Sequence, residues 1–179
     1  MLGDTLKLIL QYQRRRPAPC LPRKLDHLFG RLAESGLVEA ERIQDDIWKQ
    51  WMSHPDRAVA RRLHEATEAI VQRKLGDAER ILDELIATHP DFAEAWNKRA
   101  TVRYMQHRDE ECLADLAQVL RLEPRHFGAM CSFAQIGIDR GEPDLAIYAF
   151  DIALRINPHL DEARATARWL LATSPLTLQ

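Results

Sequence analysis

Apolar positions fall at helical spacing along most of the chain. Leu25, Leu28, Phe29 and Leu32 lie three or four residues apart and share one helical face. Gly36 interrupts the pattern, and Ile43, Ile47, Trp48 and Trp51 form a second stripe that Ser53-His54-Pro55 closes. This predicts a helical pair over residues 25–55. Beyond it the pattern repeats: Pro90, Pro124 and Pro158 stand 34 residues apart, each ending a similar phrase, ELIATHP, QVLRLEP and IALRINP.

Superposed on that period, Ala100 falls over Ala134, Cys112 over Ala146, Trp96 over Met130 and Leu116 over Phe150. Small side chains at fixed positions let the bulky ones of a facing helix approach the backbone, so each unit reads as helix, turn, helix. In the third unit the turn runs from Asp139 to Pro143, with Gly141 suited to a left-handed conformation and Pro143 to a first helical position. The second has a polar turn, Gln106-His107-Arg108-Asp109. In the first, Ala78, Leu82, Leu85 and Pro90 fit a second helix, but Gly76-Asp77 lies three residues too close to Pro90. A shortened turn is therefore expected there, with a first helix somewhere within 58–75. After the last proline, Ala163, Ala167 and Leu170 recur at helical spacing and predict a capping helix over 161–173.

These residues resemble the tetratricopeptide repeat, whose 34-residue pattern runs Trp, Leu-Gly, Tyr, Ala-x-x-x-Phe, Pro. The second unit supplies Trp96, the third Ala146-x-x-x-Phe150 and Pro158, and Ala100 and Ala134 hold the small position. The stretch Pro90-Asp91-Phe92-Ala93-Glu94-Ala95-Trp96 is similar to bacterial members of the family. The resemblance implies an all-α fold: a right-handed superhelix of antiparallel helix pairs, the TPR solenoid. Three repeats would occupy 58–92, 93–126 and 127–160, between the N-terminal helical hairpin and the C-terminal capping helix. Arg99 and Arg103 depart from the pattern where the second unit should carry Leu and Tyr, and Gly137 departs where the third should carry Tyr.

The resemblance also implies a use. Family positions that point into the concave face correspond to Glu94, Asn97, Thr101, Tyr104 and Met105, then to Gly128, Cys131, Gln135, Ile138 and Asp139. Asn97 and Gln135 match the donor and acceptor of a peptide backbone, and Tyr104, Met105 and Ile138 offer adaptable apolar contacts. A scaffold or adaptor holding a protein or peptide segment is expected. The carboxylate clamp of chaperone-binding members is absent, because Lys98, Gly128 and Ser132 stand where it needs Asn, Lys and Arg. Phe29, Ile47, Trp48 and Trp51 are a large apolar load for two helices, expected either to cap the first repeat or to join a second copy as a homodimer. Self-assembly is thus the alternative role.

Composition narrows the remaining classes. The 179 residues, 46% apolar, suit one core, and a formal charge of −2 supplies no global field for a polyanion or a membrane. Residues 1–24 are locally basic, with Arg14-Arg15-Arg16, Pro17, Pro19 and Pro22, and are expected to form a mobile arm in which Leu6, Ile9 and Leu10 make at most an amphipathic turn. No run of about 18 apolar residues predicts a membrane span. Cys20, Cys112 and Cys131 form no Cys-x-x-Cys pair, which suits a reducing, cytoplasmic setting. His64-Glu65-Ala66-Thr67-Glu68 lacks the second histidine of a zinc helix, and no glycine-rich phosphate loop occurs. No enzyme activity, metal, cofactor or nucleic-acid partner is expected, and Cys131 reads as a small buried side chain rather than a nucleophile.

Overall fold

A computed structural model describes residues 1–173, which form ten α-helices and no strand. They are α1 (Leu2–Leu10), α2 (Lys24–Glu34), α3 (Leu37–Met52), α4 (Arg57–Val71), α5 (Leu75–Thr88), α6 (Ala93–Met105), α7 (Asp109–Leu122), α8 (Phe127–Asp139), α9 (Pro143–Ile156) and α10 (Asp161–Thr173). Helices α4/α5, α6/α7 and α8/α9 are the three repeat hairpins, and the second helix of each packs on the first helix of the next. Small side chains make the hairpins close: Ala66, Ala100 and Ala134 on the first helices and Ala78, Cys112 and Ala146 on the second are all buried.

The first hairpin is not shortened. Arg73, His107 and Gly141 have φ of 60°, 59° and 71°, and they stand 34 residues apart. The backbone N–H groups of Lys74, Arg108 and Glu142 donate back to the carbonyls of Ala69, Arg103 and Gly137, again in phase. The turn needs one left-handed residue to satisfy the last carbonyls of the first helix, and only the third unit fills it with glycine. Gly76, which suggested a displaced turn, lies inside α5 with open space around it.

Arg99 and Arg103 replace the family's apolar pair by an ionic one. Arg99 grips the buried Asp115 through Nε at 3.0 Å and Nη2 at 2.8 Å, while Arg103 Nη1 reaches the same carboxylate at 2.8 Å. Asp115 is only 1% exposed, so both guanidiniums are needed to hold its charge in the hairpin.

The N-terminal pair neither caps the first repeat alone nor leaves its aromatic face for another copy. Helix α3 and the segment that follows it run across the row of inter-repeat turns: from α3, Gln44 Oε1 accepts from Asn157 Nδ2 at 3.0 Å and Trp48 and Trp51 pack on His126 and Phe127, and just past its end His54 meets His89 and Phe92. Seven residues separate Gln44 from Trp51, and at about 1.5 Å per residue they advance about 10 Å, the usual distance between packed helices. One helix therefore touches successive turns in register. Gly128 admits it, since a Cβ there would stand 2.8 Å from Trp48 Cη2. Ile47 and Trp51 are buried, Phe29 is buried against Phe127, and Trp48 is half-buried.

Residues 1–24 are likewise not a mobile arm. Helix α1 lies on α7 and α9, with Thr5 and Ile9 buried and Leu2 and Leu6 packed beside them. After a 3₁₀ turn over Tyr12–Arg14, Arg15 donates to the carbonyls of Leu120 and Arg121, and the N–H of Ala18 to that of Leu122. The arginine run hides a structural role: Arg15 satisfies carbonyls left open at the end of α7.

Candidate functional site

The first helices of successive hairpins place Thr101 on α6, Gln135 on α8 and Trp169 on α10 at the same point of the 34-residue period. Between α6 and α8, Tyr104 Oη donates to Asp139 Oδ2 at 2.7 Å and Gln135 Nε2 donates to Asp139 Oδ1 at 2.9 Å. The hydrogen bond to Asp139, with some burial, pushes the Tyr104 phenol up to about 12, so the group stays a donor. Beside it lies a hollow of about 270 Å³ floored by Ala100, Cys112 and Cys131 and edged by Thr101, Tyr104 and Gln135. A second hollow of about 370 Å³ shares Cys131 and Gln135 and continues to His159, Leu160, Glu162 and Thr166 at the start of α10. Together they make a channel with apolar floor and polar rim, as ligand clefts commonly are.

The groove residues expected from the repeat register separate into two groups. Thr101, Tyr104, Cys131, Gln135 and Asp139 come together around the hollows, and Met105 and Ile138 are half-buried at the turn end of the same helices. Glu94 and Asn97 do not join them. Glu94 is 1% exposed and Asn97 7%, because α3 covers this end of the groove. Asn97 Nδ2 donates to Glu94 Oε1 at 3.1 Å, Lys98 Nζ lies 3.2 Å from the same oxygen, and His126 Nε2 meets Glu94 Oε2 at 3.1 Å. These polar groups satisfy one another and hold α6, α8 and α3 together, so they are spent on structure.

Cys131 sits in the floor with its thiol pushed up to about 11 by burial, and Cys112 beneath it is pushed up to about 12 by burial and the nearby Asp115. Both are thiols at neutral pH, the opposite of what a nucleophile needs. Among the described residues no group of three His, Cys, Asp or Glu side chains is arranged to hold a metal, and no helix is long and apolar enough to cross a membrane.

Glu162 and Thr166 join the groove from α10, and the sequence carries a signal for that extension, since the period brings Gln135 onto Trp169 past the last proline. The cover supplied by α3 has no such signal, since Trp51 and Trp48 meet partners 75 and 79 residues along the chain, His126 and Phe127.

A family model described as tetratricopeptide repeat matches residues 63–111, from within α4 to the start of α7. The chain is also 32% identical over 147 residues to a TPR repeat-containing protein of Rhizobium etli, an alignment spanning 82% of this chain and 72% of that protein. The chain belongs to the tetratricopeptide repeat family. The matched segment includes most of the first hairpin, whose turn at Arg73 restores the 34-residue phase. Tetratricopeptide repeats generally serve as scaffolds for protein–protein interaction, and the fold here is their helical solenoid with one end of the concave face closed by α3.

Proposed function

We propose that this tetratricopeptide protein is an adaptor that binds a segment of another protein in the open half of its groove, along Thr101, Tyr104, Cys131, Gln135, Ile138 and Asp139. The observation that carries the reading is the exposed Tyr104–Asp139–Gln135 cluster beside two connected hollows. Gln135 and Tyr104 offer backbone-matching hydrogen bonds, and the hollows accept side chains from an extended chain. Of the residues that would carry a self-assembling alternative, Phe29, Ile47 and Trp51 are buried within the chain and Trp48 is half-buried, which supports the groove reading over it.

The test is capture of partners from an extract on immobilised protein. Tyr104→Ala with Gln135→Ala should remove the captured protein while leaving helicity and melting temperature nearly unchanged, because both side chains are at the surface of the groove. Asn97 is not a suitable target, as its loss would disturb the buried Glu94 cluster. Undiminished capture by the double variant would place binding elsewhere.

A further inference from the structure

Trp169 is 60% exposed in a chain whose other three tryptophans are packed against neighbours. Among the described residues no aromatic ring or cation lies on it. Glu162, Thr166 and Trp169 follow one another at i, i+4 and i+7 and so share one face of α10. Glu162 and Thr166 from that face line the larger hollow, and Trp169 follows them on the same face one turn beyond its lining. Arg164 is turned away: it donates to Asp161 and to the carbonyl of Pro158, and with Arg168 it follows another side of the helix.

The charge around the open groove is one-sided. Asp139 accepts hydrogen bonds from Tyr104 and Gln135, both uncharged, and among the described residues neither Asp139 nor Glu162 has a cationic partner. Lys98 is held by Glu94 at the covered end, over the ring of Trp48. An exposed indole beside unpaired carboxylates at the edge of an apolar hollow is complementary to a planar cation on an otherwise apolar segment. A guanidinium can lie flat on the ring while its edge donates to a carboxylate, which an ammonium does less well. Phosphate backbones are repelled by the same carboxylates.

Resting on the groove reading above, we propose that the C-terminal end of the groove takes an arginine side chain of an extended partner segment, stacked on Trp169 and paired with Glu162, with an adjacent apolar side chain in the hollow beside Gln135.

The proposal is tested by selecting random octapeptides displayed on phage against the immobilised full chain. The selected peptide is then titrated as its arginine and citrulline forms, citrulline keeping the plane and removing the charge. Enriched peptides should carry an arginine next to an apolar residue, and citrulline should weaken binding about ten-fold. Trp169→Ala and Glu162→Gln should each erase the preference for arginine over citrulline while the peptide still binds through its apolar residue. If the enriched peptides are acidic or purely apolar, or if arginine and citrulline bind alike, the arginine assignment is overturned while the groove reading stands. Enrichment that survives Tyr104→Ala with Gln135→Ala, or no enrichment at all, overturns both.

Discussion

The rings of His126 and Trp51 lie 4.0 Å apart and within 9° of parallel, joining the N-terminal helical pair to the turn between the second and third repeats. The same imidazole has both nitrogens engaged. Its Nδ1 accepts from the backbone N–H of Ala129 at 3.0 Å, capping α8, so the ring hydrogen sits on Nε2 and donates to Glu94. One side chain thus caps a helix, holds a buried carboxylate and provides a stacking surface.

Replacing His126 by alanine is expected to cost about 2–4 kcal/mol, because it leaves Glu94 buried with fewer donors and α8 without its cap. The loss is read from urea unfolding at neutral pH. A change below 0.5 kcal/mol, on the order of an unremarkable surface substitution, would contradict the role assigned to the ring.

The pH profile provides a separate check. Burial pushes the Glu94 carboxyl up, but the His126 hydrogen bond together with Lys98 and Asn97 outweighs it and leaves the group below the ordinary 4.5. A carboxyl depressed in the folded state contributes stability that is complete above the unfolded value and is lost as pH falls through the folded one. Stability should therefore decline below about pH 4.5 in the native chain. In His126→Ala the decline should still begin near the unfolded value but be smaller, since the main group lowering the carboxyl is gone and burial is less opposed.

Asp115 with Arg99 and Arg103 supports an exchange experiment. Asp115→Ala alone removes the buried carboxylate that both guanidiniums share, leaving Arg99 with Asp83 and Arg103 with Glu79 and Glu111, and should destabilise by about 1–3 kcal/mol. Changing the trio together to Leu at 99, Tyr at 103 and Leu at 115 should recover most of that loss, since an apolar set of similar volume dispenses with desolvating charge. Thermal melting of both variants decides it, and a triple variant no better than Asp115→Ala would refute the substitution logic.

Gly128→Ala should dislodge Trp48, whose ring is wedged edge-on against Trp51, His126 and Phe127 and has little freedom to retreat. A red-shifted tryptophan emission and a loss of about 1–3 kcal/mol are expected, the usual range for overpacking. Unchanged emission would mean that α3 tolerates a shift the geometry disallows.

Ile9→Asp should release α1 without unfolding the repeats. Ile9 is fully buried on α7 and α9, and losing its transfer energy removes about 2–3 kcal/mol from a nine-residue helix with few other anchors. Hydrogen exchange would show residues 2–10 unprotected while α6 to α9 keep their protection. Global unfolding instead would mean that α1 belongs to the central cooperative unit.

The repeats were legible because their determinants are local or strictly periodic: alanines at the crossing points, apolar stripes and the spaced prolines. The turn of the first hairpin carries no glycine signal, because Arg73, like His107, adopts the left-handed conformation that Gly141 takes in the third. The N-terminal third is less legible for a different reason. Its helices were visible in the pattern, but their partners lie far along the chain, Gln44 against Asn157 and Arg15 against Leu120. Two of the expected groove residues are lost on the same account: Glu94 and Asn97 occupy the right repeat positions, yet a helix from outside the repeat covers them.

A bare array of tetratricopeptide hairpins is modular, and its units can be removed or multiplied because each touches only its neighbours. The path of α3 forbids this here. With Gln44 and Trp51 on the helix and His54 just past its end each matched to a different inter-repeat turn, deleting one 34-residue unit would leave the helix and its C-terminal extension facing the wrong partners. The repeats are thereby tied into a single object of fixed length, and the number of hairpins is set by one helix that belongs to none of them.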